Sequence, residues 1–474
     1  MKKVLLVNVN TEKAPYPVPP IGMCIIAQSI EDSYEVEVYD GMFDEGRSLQ
    51  ALVVRFQPDY IGCSIRNIDS MSIQTKDFFL DNVNEVFIKP LKKTSTAPII
   101  LGGSGFSIYP YETLDYLDIT YGIIGEGEET FKELLHALDN HTDLSLIRGV
   151  ACRDFPEELK QKKSTSPHPI AKYHSGIYKY IDFTAYEERG AYSIQTKRGC
   201  AHKCIYCTYP VIEGKKFRSR TAVDIVDEIQ SVYNKLGNIC FEFVDSTFND
   251  PKGHAEAICH EIIDRNLKVR LRTMGINPDN TSEELFQLMK EAGFSQIDST
   301  PDTASEVMLR NLGKNFTLAR LKEMALQLMK VNIPTMWFFV FGGPGETYQT
   351  IDETFAFIEE FISEKDLVYI ATSLRIYPNT KLYDIALAEK MITAEDNLLK
   401  PVFFENPQFP HEEISRYLRE KIGKKHNILF TSDARPSPEM MQQALQMRRE
   451  QGMDEPMFRT LLRLRKIWIA EGKL

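Results

Sequence analysis

The sequence has no uninterrupted apolar run of the roughly 20 residues that a membrane-spanning helix requires. After Met1-Lys2-Lys3 the chain is apolar only over residues 4–9, and polar residues follow too soon for a signal peptide. It also has no low-complexity tract and no internal repeat beyond strand-and-helix units. These absences predict a cytoplasmic protein without a membrane span.

Positive charge is scarce as well, because 56 Lys and Arg stand against 67 Asp and Glu, a formal net charge of -11. Proteins that bind nucleic acid neutralise phosphates and usually carry an excess of basic residues. We therefore expect no nucleic-acid partner. The chain of 474 residues is longer than one hydrophobic core usually serves, so two or three domains are expected.

Apolar segments recur along the first part of the chain without the alternation that is typical of a half-exposed sheet. Amphipathic stretches separate them, as expected for strands of a parallel sheet with helices on both faces. The resulting strand-then-helix units cover residues 3–8, 21–29, 34–39, 59–64, 98–101 and 119–124, with residues 19–22 opening the first helix. The pattern predicts an α/β fold that begins with a doubly wound, Rossmann-like domain over residues 1–145.

A second strand-and-helix series occupies residues 191–400, after a predicted linker over residues 146–190 that is rich in Lys, Pro, Ser and Glu. The predicted strands of this series are residues 192–196, 239–244, 269–273, 296–299, 335–341 and 368–375. Six such units predict a partial (β/α)6 TIM barrel, open on one side, whose working face lies at the carboxyl ends of the strands. Residues 401–474 are predicted to form a C-terminal helical region.

Polar and glycine-rich segments follow three strands of the first series. They are residues 64–69, 102–105 and 125–128. A doubly wound sheet binds ligands beyond the carboxyl ends of its strands, and glycine allows the backbone to approach a bulky ligand closely. Ordinary turn glycines are the alternative. Because three such segments meet at one edge, the pattern favours a large cofactor.

The eight cysteines divide into two groups. Five are scattered in apolar or strand-like surroundings, where buried reduced thiols are expected: Cys24, Cys63, Cys152, Cys240 and Cys259. The other three, Cys200, Cys204 and Cys207, lie within eight residues after the first strand of the second series. Three thiolates on one short loop can hold three corners of a 4Fe-4S cluster and leave the fourth iron open to a substrate.

The alternative for this loop is a zinc site with His202 as the fourth ligand. A structural zinc site usually takes paired ligands from a second loop, and the sequence contains no second Cys-x-x-Cys pair. The sequence therefore favours the iron-sulfur cluster, and we expect His202 on the surface of the loop.

The spacing Cys-x3-Cys-x2-Cys resembles the signature of the radical S-adenosylmethionine superfamily, as do polar or glycine-rich strand ends at residues 245–247, 297–299 and 342–347. The resemblance implies that S-adenosylmethionine binds at the open iron and is cleaved to a 5'-deoxyadenosyl radical. It also implies an external electron donor of the flavodoxin or ferredoxin type. The residues expected to contact S-adenosylmethionine are Tyr206, Asp245, Ser246, Ser299, Gly343 and Gly345.

The front domain resembles the cobalamin-binding domain that precedes the radical barrel in one branch of this superfamily, here through residues 19–22 and the three polar segments. The expected cobalamin contacts are Arg66, Asn67, Ile68, Gly102, Gly103, Ser104, Gly125, Glu126 and Gly127. The first 150 residues contain no Asp-x-His-x-x-Gly motif, so we expect cobalamin with its own base displaced and no histidine beneath the metal. Arg66 either faces the lower side of cobalt or pairs with Asp69 or Asp40.

The two resemblances together imply a methyltransferase that acts on an unactivated carbon or phosphorus centre of a small metabolite or peptide, through methylcobalamin and the 5'-deoxyadenosyl radical. Arg375 and Tyr377, at the end of the sixth strand, either line the space between the two domains or are ordinary polar residues of the barrel. The alternatives are a cobalamin-dependent cyclase or rearrangement enzyme without methyl transfer, and a cobalamin sensor without turnover.

Overall fold

A computed structural model describes residues 1–13, 16–43, 48–160, 174, 176–187, 190–433 and 435–473 of the chain. The predicted linker over residues 146–190 therefore lies partly outside the described residues. Among the residues that are described, no helix combines the length and the apolar character that a membrane crossing needs.

The front domain is built on a six-stranded sheet with the strand order β2-β1-β3-β4-β5-β6. The strands are β1 (Lys3–Asn8), β2 (Glu35–Asp40), β3 (Tyr60–Ser64), β4 (Ile99–Gly102), β5 (Tyr121–Ile123) and β6 (Val150–Cys152). The first five are parallel, and β6 joins β5 in the antiparallel sense. The prediction of a doubly wound sheet is confirmed. The strand order reverses at β1, which has β2 on one side and β3 on the other, and doubly wound sheets bind ligands at such a point. The sheet continues past residue 145, because β6 closes its edge.

Helices cover both faces of the front sheet. They are α1 (Ile21–Ile30), α2 (Leu49–Phe56), α3 (Phe79–Val83), α4 (Lys89–Thr94), α5 (Ser104–Ile108), α6 (Pro110–Leu117) and α7 (Glu128–Asn140), with a π-helical turn (Asn84–Ile88) between α3 and α4. The alternation of β1 explains the two layers, since Val4 and Leu6 pack with α1 and α7 while Leu5 and Val7 pack with α2 and α4. Three short helices then lead to the second domain: α8 (Glu157–Lys160), α9 (Ile177–Tyr180) and α10 (Thr184–Glu187).

The second domain is a parallel seven-stranded sheet with the order β7-β10-β11-β12-β13-β14-β17. The strands are β7 (Tyr192–Ile194), β10 (Cys240–Phe243), β11 (Arg270–Met274), β12 (Phe294–Asp302), β13 (Thr335–Phe341), β14 (Leu367–Thr372) and β17 (Ile428–Phe430). Two short antiparallel pairs accompany the sheet: β8 (Lys197–Arg198) with β9 (Arg218–Ser219), and β15 (Leu374–Arg375) with β16 (Phe403–Phe404). The six predicted barrel strands are all present, and the left-handed Ser373 (φ 71°) divides the last of them into β14 and β15.

The helices of the second domain begin and end at recognisable caps. They are α11 (Tyr209–Ile212), α12 (Ala222–Leu236), α13 (His254–Asp264), α14 (Glu283–Ala292), α15 (Glu306–Asn311), α16 (Leu318–Val331), α17 (Tyr348–Phe361) and α18 (Lys381–Ala388). Helix α12 begins where the Thr221 side chain accepts a hydrogen bond from the Asp224 N–H, and it ends at the left-handed Gly237 (φ 81°). These local signals are the reason why α12 begins and ends at these residues.

The C-terminal region contains α19 (His411–Ile422), α20 (Pro438–Gln451) and α21 (Met457–Ala470). It is mainly helical, as predicted, but it also supplies β17, the seventh strand of the barrel sheet. Helix α21 packs through Phe458 and Leu462 against Met336, Leu367 and Tyr369 of β13 and β14. The C-terminal region is therefore part of the barrel's framework.

The two domains share their hydrophobic cores. One cluster of buried side chains joins Leu5 and Ile61 of the front sheet to Ile205, Met308 and Leu374 of the second domain. The front sheet therefore presents its loops to the barrel across a packed boundary.

Candidate functional site

The three predicted cluster ligands lie together on one loop at the carboxyl end of β7. The loop turns at Gly199, which has φ 85° and whose missing Cβ would lie 2.1 Å from the Lys216 carbonyl oxygen. The Cys200 N–H donates to the Gly214 carbonyl at 3.0 Å, and the Ile205 N–H donates to the Leu312 carbonyl at 3.0 Å. The loop is therefore fixed on both sides of Cys204 by contacts to other segments of the barrel.

The three thiols are close enough to influence one another's charge. Burial, together with the neighbouring Cys204 and Cys200, raises the pKa of Cys207 to about 12. Burial also raises the pKa of Cys204, which the cationic Lys314 opposes. Lys314 is itself buried and pairs with Asp302 at 2.8 Å. Three neighbouring thiols beside a buried cation fit an anionic iron-sulfur cluster, which takes its ligands as thiolates.

His202 does not lie free on the surface of this loop, so that prediction is wrong. Its side chain is 15% exposed, and Nε2 lies 2.8 Å from the Asp250 carboxylate. Asp250 also accepts from Thr247 and Asn277 at 2.9 Å each. His202 is thus occupied by a carboxylate, and in the described part of the chain no three His, Cys, Asp or Glu side chains are arranged to hold one metal ion.

Asp245 lies at the carboxyl end of β10, but its carboxylate is fully buried. It accepts from the Thr196 N–H at 2.8 Å and lies 3.0 Å from the Lys197 ammonium. Its neighbour Ser246 donates to the Gly199 carbonyl at 3.2 Å. Asp245 therefore braces the segment before the cluster loop from beneath, whereas Ser246 contacts the loop directly.

Tyr206 is held beside the cluster loop by a hydrogen bond from its hydroxyl to Asp302. The glycine-rich segment after β13 lies nearby, because a Cβ on Gly343 would be 3.0 Å from the Leu312 side chain. Gly345 has φ 84°, and Asn311 supports this segment through a 2.9 Å bond from Nδ2 to the Pro344 carbonyl. Tyr206, Gly343 and Gly345 are therefore grouped around the same edge of the barrel.

Ser299 lies on the other face of β12 from Asp298. Its side chain is completely buried, and among the described residues its Oγ has no hydrogen-bond partner. Successive side chains of a strand point to opposite faces. Asp298 faces the interior of the barrel. Burial and the nearby Glu242 carboxylate raise its pKa to about 7, although a hydrogen bond from Gln296 opposes the rise.

The barrel interior contains a polar group that the sequence interpretation missed. The Arg272 guanidinium lies 2.7 Å from the Glu242 carboxylate and 4.1 Å from the centre of the Tyr16 ring. The Tyr16 hydroxyl donates to Glu242 at 3.0 Å. In the described residues, Arg272 Nη2 and the Ser193 Oγ are buried without a hydrogen-bond partner. Charged residues alternating with apolar ones in β10 and β11 were the available signal, because that pattern indicates a polar inner face.

At the carboxyl edge of the front sheet, the predicted cobalamin segments pack tightly against one another. Gly103 has φ 100°, and a Cβ there would lie 2.4 Å from the Ile65 carbonyl oxygen. Ser104 donates to the Arg66 carbonyl at 3.1 Å, and Asn10 accepts from the Arg66 N–H at 2.9 Å. A Cβ on Gly102 would meet nothing within 4 Å, so open space lies beyond β4. This backbone-lined edge fits a bulky planar cofactor.

The Arg66 side chain projects from this edge and is exposed. The alternative in which it pairs with Asp69 or Asp40 is wrong, since Asp69 pairs with Arg375 and Asp40 accepts from Asn8 and Tyr186. Asn67 is half-buried beside it and Ile68 is buried.

The segment after β5 joins the front domain to the cluster loop. Gly125 has φ 80°, and its N–H donates to Ser107 at 2.9 Å. The Glu126 carboxylate lies 3.3 Å from Arg198 and also pairs with Arg218. Gly127, the cap of α7, packs near Ile26. In this geometry Glu126 is engaged by the barrel, so its predicted place in a cobalamin site would be that of a support.

Of the two alternatives for Arg375 and Tyr377, the one in which they line an open space between the domains is wrong, because both side chains are buried. Arg375 is 2% exposed and donates from Nε to Asp69 at 3.0 Å and from Nη2 to the Leu398 carbonyl at 2.6 Å. Tyr377 is buried beside it, with its ring centre 5.1 Å from the guanidinium and 6.3 Å from that of Tyr109. Both residues belong to the packed boundary between the domains.

Two family models match the chain: the radical SAM superfamily over residues 194–358 and the B12 binding domain over residues 7–135. An uncharacterized methyltransferase of Pyrococcus horikoshii is 25% identical over 437 residues, covering 88% of this chain and 91% of the relative. Tryptophan 2-C-methyltransferase of Streptomyces laurentii is 25% identical over 417 residues, covering 74% of this chain and 69% of the relative.

The fold is similar to that of the radical S-adenosylmethionine methyltransferase TsrM from Kitasatospora setae, solved with cobalamin and a 4Fe-4S cluster. The TM-score is 0.82 at 22% identity, over 100% of this chain and 99% of that one. The cobalamin-dependent S-adenosylmethionine radical enzyme OxsB has a TM-score of 0.72 at 14% identity, over 97% of this chain and 70% of the OxsB chain. By the two domain matches, the chain belongs to the radical SAM superfamily and carries a B12 binding domain before its radical SAM domain.

Proposed function

We propose that the chain is a cobalamin-dependent radical S-adenosylmethionine methyltransferase that acts on an unactivated carbon or phosphorus centre of a small metabolite or peptide. One observation carries the proposal. Helix α11, which begins two residues after Cys207, packs against α5, which begins directly after Gly103. The cluster loop and the predicted cobalamin loop therefore meet, and a substrate between them would be within the near contact that radical and methyl transfer require.

When bound, the cluster supplies the electron that cleaves S-adenosylmethionine, and the cobalamin supplies the methyl group. In the proposal Cys200, Cys204 and Cys207 hold the cluster. Ser246, Tyr206 and the glycines at 343 and 345 surround the S-adenosylmethionine, and Asp245 supports the loop through Lys197. Ser299 has only a supporting place in β12, because its side chain is buried away from the barrel interior.

The polar interior gives the substrate a place to bind. Arg272 and Ser193 have buried donor atoms without partners among the described residues. Burial raises the pKa of the nearby Asp298 carboxyl to about 7. A buried polar group without a partner costs free energy, so these groups favour a ligand that brings its own hydrogen-bonding atoms. This lining supports a substrate with a polar end held inside the barrel and its reacting centre towards the two cofactor loops.

The proposed enzyme works in the cytoplasm with an external low-potential electron donor and without a nucleic-acid partner. The net charge of -11 supports the last of these three points, and the electron donor follows from the radical chemistry that is proposed.

The function is tested with S-adenosylmethionine that carries a trideuterated methyl group, under anaerobic conditions and with cobalamin and cluster loaded. Candidate metabolites and peptides are supplied in turn, and mass spectrometry follows both the labelled product and 5'-deoxyadenosine. We expect the label in product, dependent on cobalamin and absent in Cys204→Ala. Formation of 5'-deoxyadenosine with an altered but unlabelled product would instead indicate a cyclase or rearrangement enzyme, and the absence of any cleavage would favour a sensor.

A further inference from the structure

A group of exposed lysines surrounds the cluster loop on its outer side. Lys203 lies within the loop, between Cys200 and Cys204, while Lys215 and Lys216 lie in the segment that leads to β9. All three side chains are exposed, and within the described part of the chain none of them forms an ion pair. We call these three residues the lysine rim.

The contacts of the loop place the lysine rim on one surface. The rings of His202 and Phe217 are 5.8 Å apart in an edge-on contact, so the residue before Lys203 touches the residue after Lys216. The Lys216 backbone also packs against the cluster loop, because its carbonyl oxygen is the atom that a Cβ on Gly199 would meet at 2.1 Å. The backbone of the rim therefore lies against the residue directly before Cys200.

Acidic side chains near the rim are engaged elsewhere. Glu213 accepts from the Gly199 N–H at 2.9 Å, Asp250 pairs with His202, and Glu126 pairs with Arg198 and Arg218. The rim is thus a local excess of positive charge on a protein whose formal net charge is -11. A patch of the opposite sign to the whole molecule attracts and orients an acidic partner.

We infer that the lysine rim is the docking surface for an acidic, low-potential one-electron donor protein. The inference rests on the cluster of the proposed function and adds the place where its electron enters. One electron passes from the donor to the cluster through the thin backbone layer, and no covalent bond forms or breaks. A docked donor here approaches the cluster from outside, while the substrate and cobalamin side of the loop remains covered by the front domain.

The test uses anaerobic stopped-flow reduction of the cluster-loaded protein by flavodoxin in its hydroquinone form, followed by the loss of visible absorbance of the oxidised cluster. The variant is Lys215→Glu with Lys216→Glu. The matched control is Lys235→Glu with Lys268→Glu, which has the same net charge but lies at the amino ends of the strands, away from the cluster loop. The affinity for flavodoxin is measured in parallel at low and high salt.

We expect the rim variant to be reduced at least ~10-fold more slowly by flavodoxin at low salt, with weaker binding and a shallower salt dependence. The control should stay within about threefold of the parent, because net charge alone acts weakly at this range. Reduced methyl viologen, a cationic reductant, should reduce all variants at least as fast as the parent.

An unchanged flavodoxin rate in the rim variant, or an equal loss in the control, would overturn the inference. If reduction by methyl viologen is also slower in the rim variant, the milder variant Lys215→Gln with Lys216→Gln is measured instead. An unchanged rate of reduction by flavodoxin in that variant would contradict the inference. Tighter binding of an oligonucleotide than of flavodoxin, dependent on the same lysines, would also overturn it. Because the readout is cluster reduction, a failure of methyl transfer alone leaves this inference standing.

Discussion

Arg375 of the barrel domain donates from Nε to the Asp69 carboxylate of the front domain at 3.0 Å, across 306 positions of sequence. The two side chains are 2% and 1% exposed, and the guanidinium also donates to the carbonyls of Ile376, Val402 and Leu398. All of these contacts lie at the boundary between the domains. This ion pair therefore connects the segment after β3, where cobalamin contacts are predicted, to the framework of the barrel.

Asp69→Asn is expected to destabilise the protein by about 3–5 kcal/mol, because it leaves a buried guanidinium without its counter-charge. Urea unfolding of the cofactor-free protein measures the effect. Lys89→Ala, which breaks an exposed pair with Glu85, is the control and should cost about 1 kcal/mol or less. If Asp69→Asn lowers the free energy of unfolding as little as the control does, the buried pair is not essential to the boundary between the domains.

Cys204→Ala is expected to abolish iron binding and S-adenosylmethionine cleavage, since two remaining thiolates cannot bind the cluster stably. Metal analysis after anaerobic reconstitution should give about four irons per parent chain and a small fraction of that in the variant. Cys240→Ala removes a half-buried thiol in β10 and should retain the iron. Equal iron in both variants, or zinc in the parent, would contradict the cluster.

Gly102→Leu is expected to weaken cobalamin binding at least ~10-fold with little change in stability, because the new side chain enters open space beyond β4. Gly103→Ala should instead destabilise the front domain by about 1–3 kcal/mol, since φ is 100° and the Cβ would meet the Ile65 carbonyl at 2.4 Å. Cobalamin titration and thermal unfolding separate the two effects. Full cobalamin affinity in Gly102→Leu would exclude this edge as the cofactor site.

Glu126→Gln and Arg218→Gln are both expected to lower cobalamin retention, and Glu126→Gln should have the larger effect because it weakens the contacts with both Arg198 and Arg218. The double variant should be no worse than Glu126→Gln alone, as expected when Arg218 acts through Glu126. Gel filtration followed by the visible spectrum of the retained cofactor measures this. If only Glu126→Gln releases cobalamin, Glu126 contacts the cofactor directly and the supporting role is wrong.

Glu346 should make stability fall between about pH 4.5 and pH 7. Burial raises its pKa to about 7, although bonds from Thr350 and the Gly342 N–H oppose the rise. The folded protein therefore holds a proton that the unfolded chain releases, so stability present at low pH is lost as the pH rises, by up to about 3 kcal/mol.

The check compares unfolding at pH 5 and pH 8 in the parent and in Glu346→Gln, whose side chain does not titrate. We expect the variant to be the more stable protein at pH 8 and its pH dependence to be flatter. Glu360→Gln, at an exposed position of α17, the helix that follows Glu346, should leave the parent profile unchanged. An identical pH profile in Glu346→Gln would mean that the buried carboxyl is not protonated at neutral pH.

Much of the fold could be predicted because it depends on local patterns. The bounds of α12 follow from Thr221 and Gly237, and β13 is a continuous apolar run. Strand β17 was missed because it has only three residues within a helical and charged region, and only its pairing with β14 reveals it. Short segments that are stable only through a neighbouring strand leave little trace in sequence.

The candidate cluster loop could be predicted from the sequence because its three thiols are neighbours in the chain, so their spacing is visible without knowledge of the fold. What the tertiary structure decided are the contacts between distant segments: Arg375 with Asp69, Glu126 with Arg198 and Arg218, and His202 with Asp250. A charged residue shows its chemistry in sequence but not its partner. The partner depends on which segments the folded core brings together, and here that packing gave a predicted surface histidine a carboxylate partner and made Arg375 a buried member of an ion pair.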